Sequence, residues 1–95
     1  MSLQGTAVLD FGAFPGAAQA SVTVTGQAAI LTTSACEAWI RIQDATATHS
    51  QDDHQVEQLK ITAGDIVAGT GFTIYGENLL GGFCYGTFNI NWVWN

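Results

Sequence analysis

The ten residues from Tyr85 to Trp94 constrain this chain more than any other stretch of it. Phe88, Ile90, Trp92 and Trp94 recur at every second position. Thr87, Asn89 and Asn91 fill the places between them, and Val93 is the one apolar exception. A period of two puts alternate side chains on opposite faces, so the segment is a β-strand with one aromatic face and one uncharged polar face. Such a face has to be covered or paired, because an open aromatic strand is an adhesive edge. Phe88, Ile90 and Trp92 are therefore expected in the core.

Shorter alternating runs, separated by glycine-rich turns, fill the rest of the chain. Strands are expected over 5–11, 20–25, 28–33, 36–43, 56–62, 65–68, 72–76 and from Phe83 onward. Residues 12–16 hold the only proline, Pro15, followed by Gly16, and read as a turn. Gly26-Gln27 reads as a tight hairpin joining 20–25 to 28–33. Residues 77–82 read as a hairpin-like loop with Leu79 and Leu80 near its tip. About eight short strands at roughly ten-residue spacing predict an all-β fold: an antiparallel β-sandwich, jelly-roll-like, or a small barrel. The 95 residues are expected to form a single β domain, 1–95, with a modest core.

Composition bears on the surface. Hydrophobic residues make up 47% of the chain and charged residues 11%, against about 25% in an ordinary domain. So few charges leave much neutral surface, and large neutral patches mark contact sites. A small core also favours oligomers, so a homo-oligomer is expected, with a trimer as the leading number. The net charge is −6 and the cations are Arg41 and Lys60. Two cations cannot displace the counterions of a nucleic acid or hold an anionic membrane, so neither is expected as a partner. There is no basic n-region before the first apolar run, which Asp10 interrupts, and no run long enough to span a bilayer. Cys36 and Cys84 lie in strand-like runs and read as reduced, small hydrophobes, in preference to a disulfide.

Residues 44–55 form the longest polar stretch. They hold both histidines, His49 and His54, and the acids Asp44, Asp52 and Asp53. Ser50, with Asp53 three residues on, has the spacing that caps one helical turn. Beside this loop, the run 36–43 places Cys36, Ala38, Ile40 and Ile42 on one face and Glu37, Trp39, Arg41 and Gln43 on the other. Trp and Arg are the residue types that anchor interfaces, and acids set register against a basic patch. The candidate partner-binding residues are thus Trp39, Arg41, Asp44, His49, Asp52, Asp53 and His54. Imidazole and carboxylate are also zinc-ligand types. But the spacing His49-x4-His54 in a loop, with no third histidine, matches no standard site, so no metal or cofactor is expected. No Gly-x-Ser-x-Gly elbow occurs, and residues 64–70 lack the lysine of a phosphate loop while Asp65 would repel phosphate. No catalytic residue is assigned and an enzyme is not expected. Trp39, Tyr75 and Tyr85 could serve as stacking platforms in a carbohydrate-binding module, the lesser alternative.

Several segments carry a resemblance. They are residues 5–16 (GTAVLDFGAFPG), 22–27 (VTVTGQ), 37–40 (EAWI), 68–75 (AGTGFTIY) and 91–94 (NWVW). In that order they resemble a group of small virion-associated proteins of tailed bacteriophages and prophages. The resemblance covers most of the chain and brings no catalytic residue with it. It implies a virion structural protein made in the host cytoplasm, with itself and the major capsid protein or other virion proteins as partners. A capsid cement or decoration protein is the leading expectation, and a tail, baseplate or fibre component the alternative.

Overall fold

In the computed structural model, residues 3–42, 45–46, 48–56, 58–80 and 82–95 are described, the side chains of Asp52, Gln55 and Val56 excepted. Among them are six strands and one short helix: β1 (Leu3–Asp10), β2 (Gln19–Val24), β3 (Cys36–Ile40), α1 (Gln51–Val56), β4 (Leu59–Val67), β5 (Gly71–Asn78) and β6 (Thr87–Trp94). The strands form two three-stranded antiparallel sheets, ordered β1-β6-β3 and β2-β5-β4. Only β4 and β5 are joined as a hairpin. Every other connection crosses from one sheet to the other, and the result is an open β-sandwich, not a barrel.

The alternation of β6 is realised along its whole length. Phe88, Ile90, Trp92 and Trp94 are buried, while Thr87, Asn89, Asn91 and Val93 are half-buried on the outer face. Ala7 and Leu9 face inward from β1, and Cys36, Ala38 and Ile40 pack on the core from β3. Register explains the small residues. Trp92 lies opposite Gly5 on one side and Ala38 on the other. A Cβ on Gly5 would sit 2.8 Å from Trp92 Cε2, so a larger residue there would displace the indole. The second sheet does the same with Gly76, whose missing side chain leaves the space that Leu9 enters from β1. Phe72 meets Trp92 edge to face with centroids 5.4 Å apart, and Phe11 meets Phe88 at 5.8 Å. Each such side chain, once buried, contributes about 1.5–3 kcal/mol.

Four expectations are corrected. Among the described residues the strands number six, not eight. Residues 28–33 are not a strand, so Gly26-Gln27 is not a hairpin turn; β2 pairs with β5 instead. Gln27 N–H donates to Thr70 O (2.8 Å) and Gly69 N–H to Ile30 O (2.9 Å), which ties this segment to the β4–β5 turn. The tie seats Ile30 fully in the core. Residues 56–62 and 65–68 do not form two strands. One strand, β4, runs through Ala63-Gly64, with a register shift between Gly64 and Val67 and Asp65 at φ +53°. A bulge accommodates the extra residue and bends the strand. The hairpin expected at 77–82 is not formed, since Glu77 and Asn78 belong to β5, and β5 and β6 lie in different sheets.

The two cysteines form no disulfide, Cys84 being buried and Cys36 half-buried. Burial pushes the Cys36 thiol above its ordinary value.

Candidate interaction surfaces

Strand β3 ends at Ile40, but β6 continues for three residues beyond its last partner, Ile90. The polar segment that follows β3 supplies what a longer strand would have supplied. Arg41 N–H still donates to Asn89 O at 2.8 Å. The Asn89 N–H donates to His54 Nε2 at 3.0 Å. Further along β6, Thr87 N–H donates to Thr48 Oγ1 and Thr87 O accepts from Thr46 Oγ1, both at 2.8 Å. Side chains thus replace backbone as the ladder partners of this edge, which meets the demand that buried backbone groups be paired.

A capped turn holds those side chains in place. Ser50 N–H donates to Asp53 Oδ2 (3.1 Å) and Asp53 N–H to Ser50 Oγ (3.2 Å), the reciprocal pair that starts α1. This is the cap that the spacing predicts. His54 follows with its ring 2% exposed. Its Nδ1 lies 2.7 Å from Ser50 O, which can only accept, and its Nε2 faces an N–H, which can only donate. The ring is therefore the neutral tautomer with its proton on Nδ1.

His49 is buried as well. It stacks on Phe88 with centroids 4.2 Å apart and places Nε2 2.6 Å from Tyr85 O, to which it donates. Its Nδ1 lies 3.4 Å from Asp53 Oδ2. The Asp53 carboxyl is held below its ordinary value, first by the Ser50 N–H and then by the hydrogen bond and charge of His49.

The seven candidate contact residues consequently separate. His49 and His54 are turned inward and spent on β6 and Tyr85; they support the fold instead of meeting a partner. Asp53 keeps a half-exposed carboxylate. Asp44 and the Asp52 side chain lie outside the described residues. Trp39 and Arg41 do share the outer face of the β1-β6-β3 sheet. Trp39 is 46% exposed, and Arg41 Nη1 donates to Asn91 Oδ1 at 3.3 Å. With Gln4, Thr6 and Asn91 they line a shallow groove across the sheet. Ile42, expected on the inner face, lies beyond β3 and is 49% exposed. The three proposed stacking platforms face different ways. Trp39 is on the outer face of one sheet, Tyr75 on the outer face of the other, and Tyr85 in the loop before β6. They cannot make one platform. Among the described residues, no three His, Cys, Asp or Glu side chains are grouped to hold a metal ion.

A further surface stands at one end of the sandwich. Here the β1–β2 turn and the β5–β6 loop run side by side. Ala17 and Cys84 exchange two backbone hydrogen bonds of 2.9 Å, and Gly86 N–H donates to Gly12 O at 2.7 Å. Phe14 is 79% exposed, Leu80 76% and Phe83 68%, with Leu79 and Tyr85 also exposed. The Phe14 and Tyr85 rings touch edge to face with centroids 5.4 Å apart. The Leu79–Leu80 tip was legible as a greasy loop. The contact of Phe14 with Tyr85 was not, since the two lie 71 positions apart.

No protein-family model matches the chain, and no curated protein is found similar to it.

Proposed function

We propose that this chain is a structural protein of a tailed-bacteriophage virion, a capsid cement or decoration subunit that oligomerises and binds the major capsid lattice. The observation that carries the reading is the distribution of surface chemistry. The outer sheet faces carry uncharged polar side chains such as Asn91 and Thr23 beside charged ones such as Arg41 and Glu77, and the exposed Phe14, Leu79, Leu80 and Phe83 stand on the two loops joined at one end. Exposed apolar side chains of that size mark a contact surface. Sheet faces rich in uncharged polar groups lie against protein at less desolvation cost than densely charged ones. The phage resemblance of the sequence points the same way. A lattice repeats its sites many times, so an oligomer gripping several at once gains avidity from individually weak contacts.

The test uses particles that lack this protein. Purified chain added to them should co-sediment saturably with full and empty heads. Binding to isolated tails alone would move the protein to the tail, baseplate or fibre. No binding to either would overturn the virion reading.

A further inference from the structure

We propose that the groove on the outer face of the β1-β6-β3 sheet binds an uncharged saccharide, with one sugar ring seated against Trp39. The site is independent of the virion reading.

Strand register builds the groove. Trp39 pairs with Asn91 and Asn91 with Thr6, so one side chain from each strand stands in a row across the sheet. Gln4 stands two residues along β1 from that row, and Arg41 two residues along in the opposite direction, past the end of β3. Side chains of β1 form one wall, Trp39 and Arg41 form the other, and the half-buried Asn91 lies between them. The two outer strands are separated by two inter-strand spacings, about 9–10 Å, the scale of a sugar ring with its hydroxyls. The cavity measures about 340 Å³, within the range of small-ligand sites. Its polar groups are largely unspent. Among the described residues, the Gln4 amide, the Thr6 hydroxyl and the Trp39 indole N–H have no protein hydrogen-bond partner. Arg41 Nη1 donates to Asn91 Oδ1 at 3.3 Å, which fixes that amide and leaves its Nδ2 donors for a ligand. Trp39, 46% exposed, adds a flat apolar plane. An aromatic plane with a few polar groups converging beside it is the make-up of a small-molecule site.

The chemistry of these groups selects the occupant. Amides and hydroxyls donate and accept alike, and so does every hydroxyl of a sugar. The C–H face of a sugar ring is the apolar counterpart of an indole plane. An extended peptide is matched less well. The backbone of β6 is already paired with β1 on one side and β3 on the other, so this face offers a peptide no ladder to join. A phosphorylated ligand meets a chain of net charge −6. The groove beside Tyr75 on the other sheet differs in the same respect that matters. Lys60 and Glu77 line it, and a neutral ligand there strips water from charges without replacing it by opposite charge.

Titration calorimetry with tryptophan emission tests this. The probes are neutral hexasaccharides of glucose, mannose, galactose and N-acetylglucosamine, each taken to about 10 mM so that millimolar sites register. At least one should bind and shift the emission. Trp39→Ala should weaken that binding by about tenfold or more, and Trp39→Phe, which keeps a smaller plane, should recover part of it. Gln4→Ala should weaken it by about threefold. Tyr75→Ala, on the outer face of the other sheet, should leave it unchanged. Trp39, Gln4 and Tyr75 are all exposed, and an unchanged melting temperature confirms the fold of each variant. Failure of all four hexasaccharides to bind overturns the proposal. So does binding indifferent to Trp39→Ala, or binding lost in Tyr75→Ala. Stronger binding of uronate-containing hexasaccharides or of a proline-rich peptide contradicts a neutral sugar as the occupant. Saccharide binding by a chain that ignores phage particles would leave the groove intact, and particle binding unaffected by Trp39→Ala would leave the virion reading intact.

Discussion

His54 joins two hydrogen bonds with opposite proton requirements, donating from Nδ1 to Ser50 O and accepting at Nε2 from Asn89 N–H. His54→Ala removes a fully buried ring and takes that acceptor from Asn89. A loss of about 2–4 kcal/mol in urea unfolding is expected. Asp53 gives a pH signature. Its folded carboxyl lies below the ordinary value of 3.8, so its contribution is complete above that value and is lost as pH falls through the folded one. Acid unfolding below about pH 4 should therefore be shallower in Asp53→Asn than in the natural chain, with no difference in slope near neutrality. Around Trp92 the packing is tight from both sides. Trp92→Ala should cost about 3–5 kcal/mol, and Gly5→Ala about 1–3 kcal/mol by overpacking against the indole. An unchanged melting temperature in either variant would contradict the register of β1 on β6.

At the scale of elements, the polar segment after β3 is a substitute strand. Thr46, Thr48 and His54 complete the edge of β6 with side-chain atoms. Replacing residues 46–53 by a two-residue turn should consequently destabilise the sandwich markedly, and hydrogen exchange at Thr87 and Asn89 should rise first. Native exchange protection at those two amides would show that the segment is dispensable. Much of this scale was legible. The period of two in 87–94 gave the buried face of β6, the run 36–43 gave β3, which stops short at Ile40, and the Ser50–Asp53 spacing gave the helix start. Pairing was less so. The hairpin expected at Gly26-Gln27 fails because turn-like residues do not say which strand returns, and the long-range tie from Gln27 to Thr70 decides it. The glycine at 64 marked a bulge and not a turn; both use the same residue, and only the partner strand distinguishes them. The inward roles of His49 and His54 were hidden for a related reason. A polar loop reads as solvated until the place where β3 leaves β6 is known.

For the molecule as a whole, chemistry is distributed unevenly. Largely polar sheet faces, with Arg41 and Trp39 on one of them, and exposed apolar side chains at one end suit a subunit made to be surrounded by protein. Decoration of a capsid also implies abundance. For the proposed virion role the most direct measurement is the copy number of this chain in purified phage particles, by quantitative mass spectrometry against the major capsid protein. A number comparable with that of the capsid subunits is predicted. A few copies would place it in the tail, and its absence from particles, with the protein plentiful in the infected cell, would contradict a virion role.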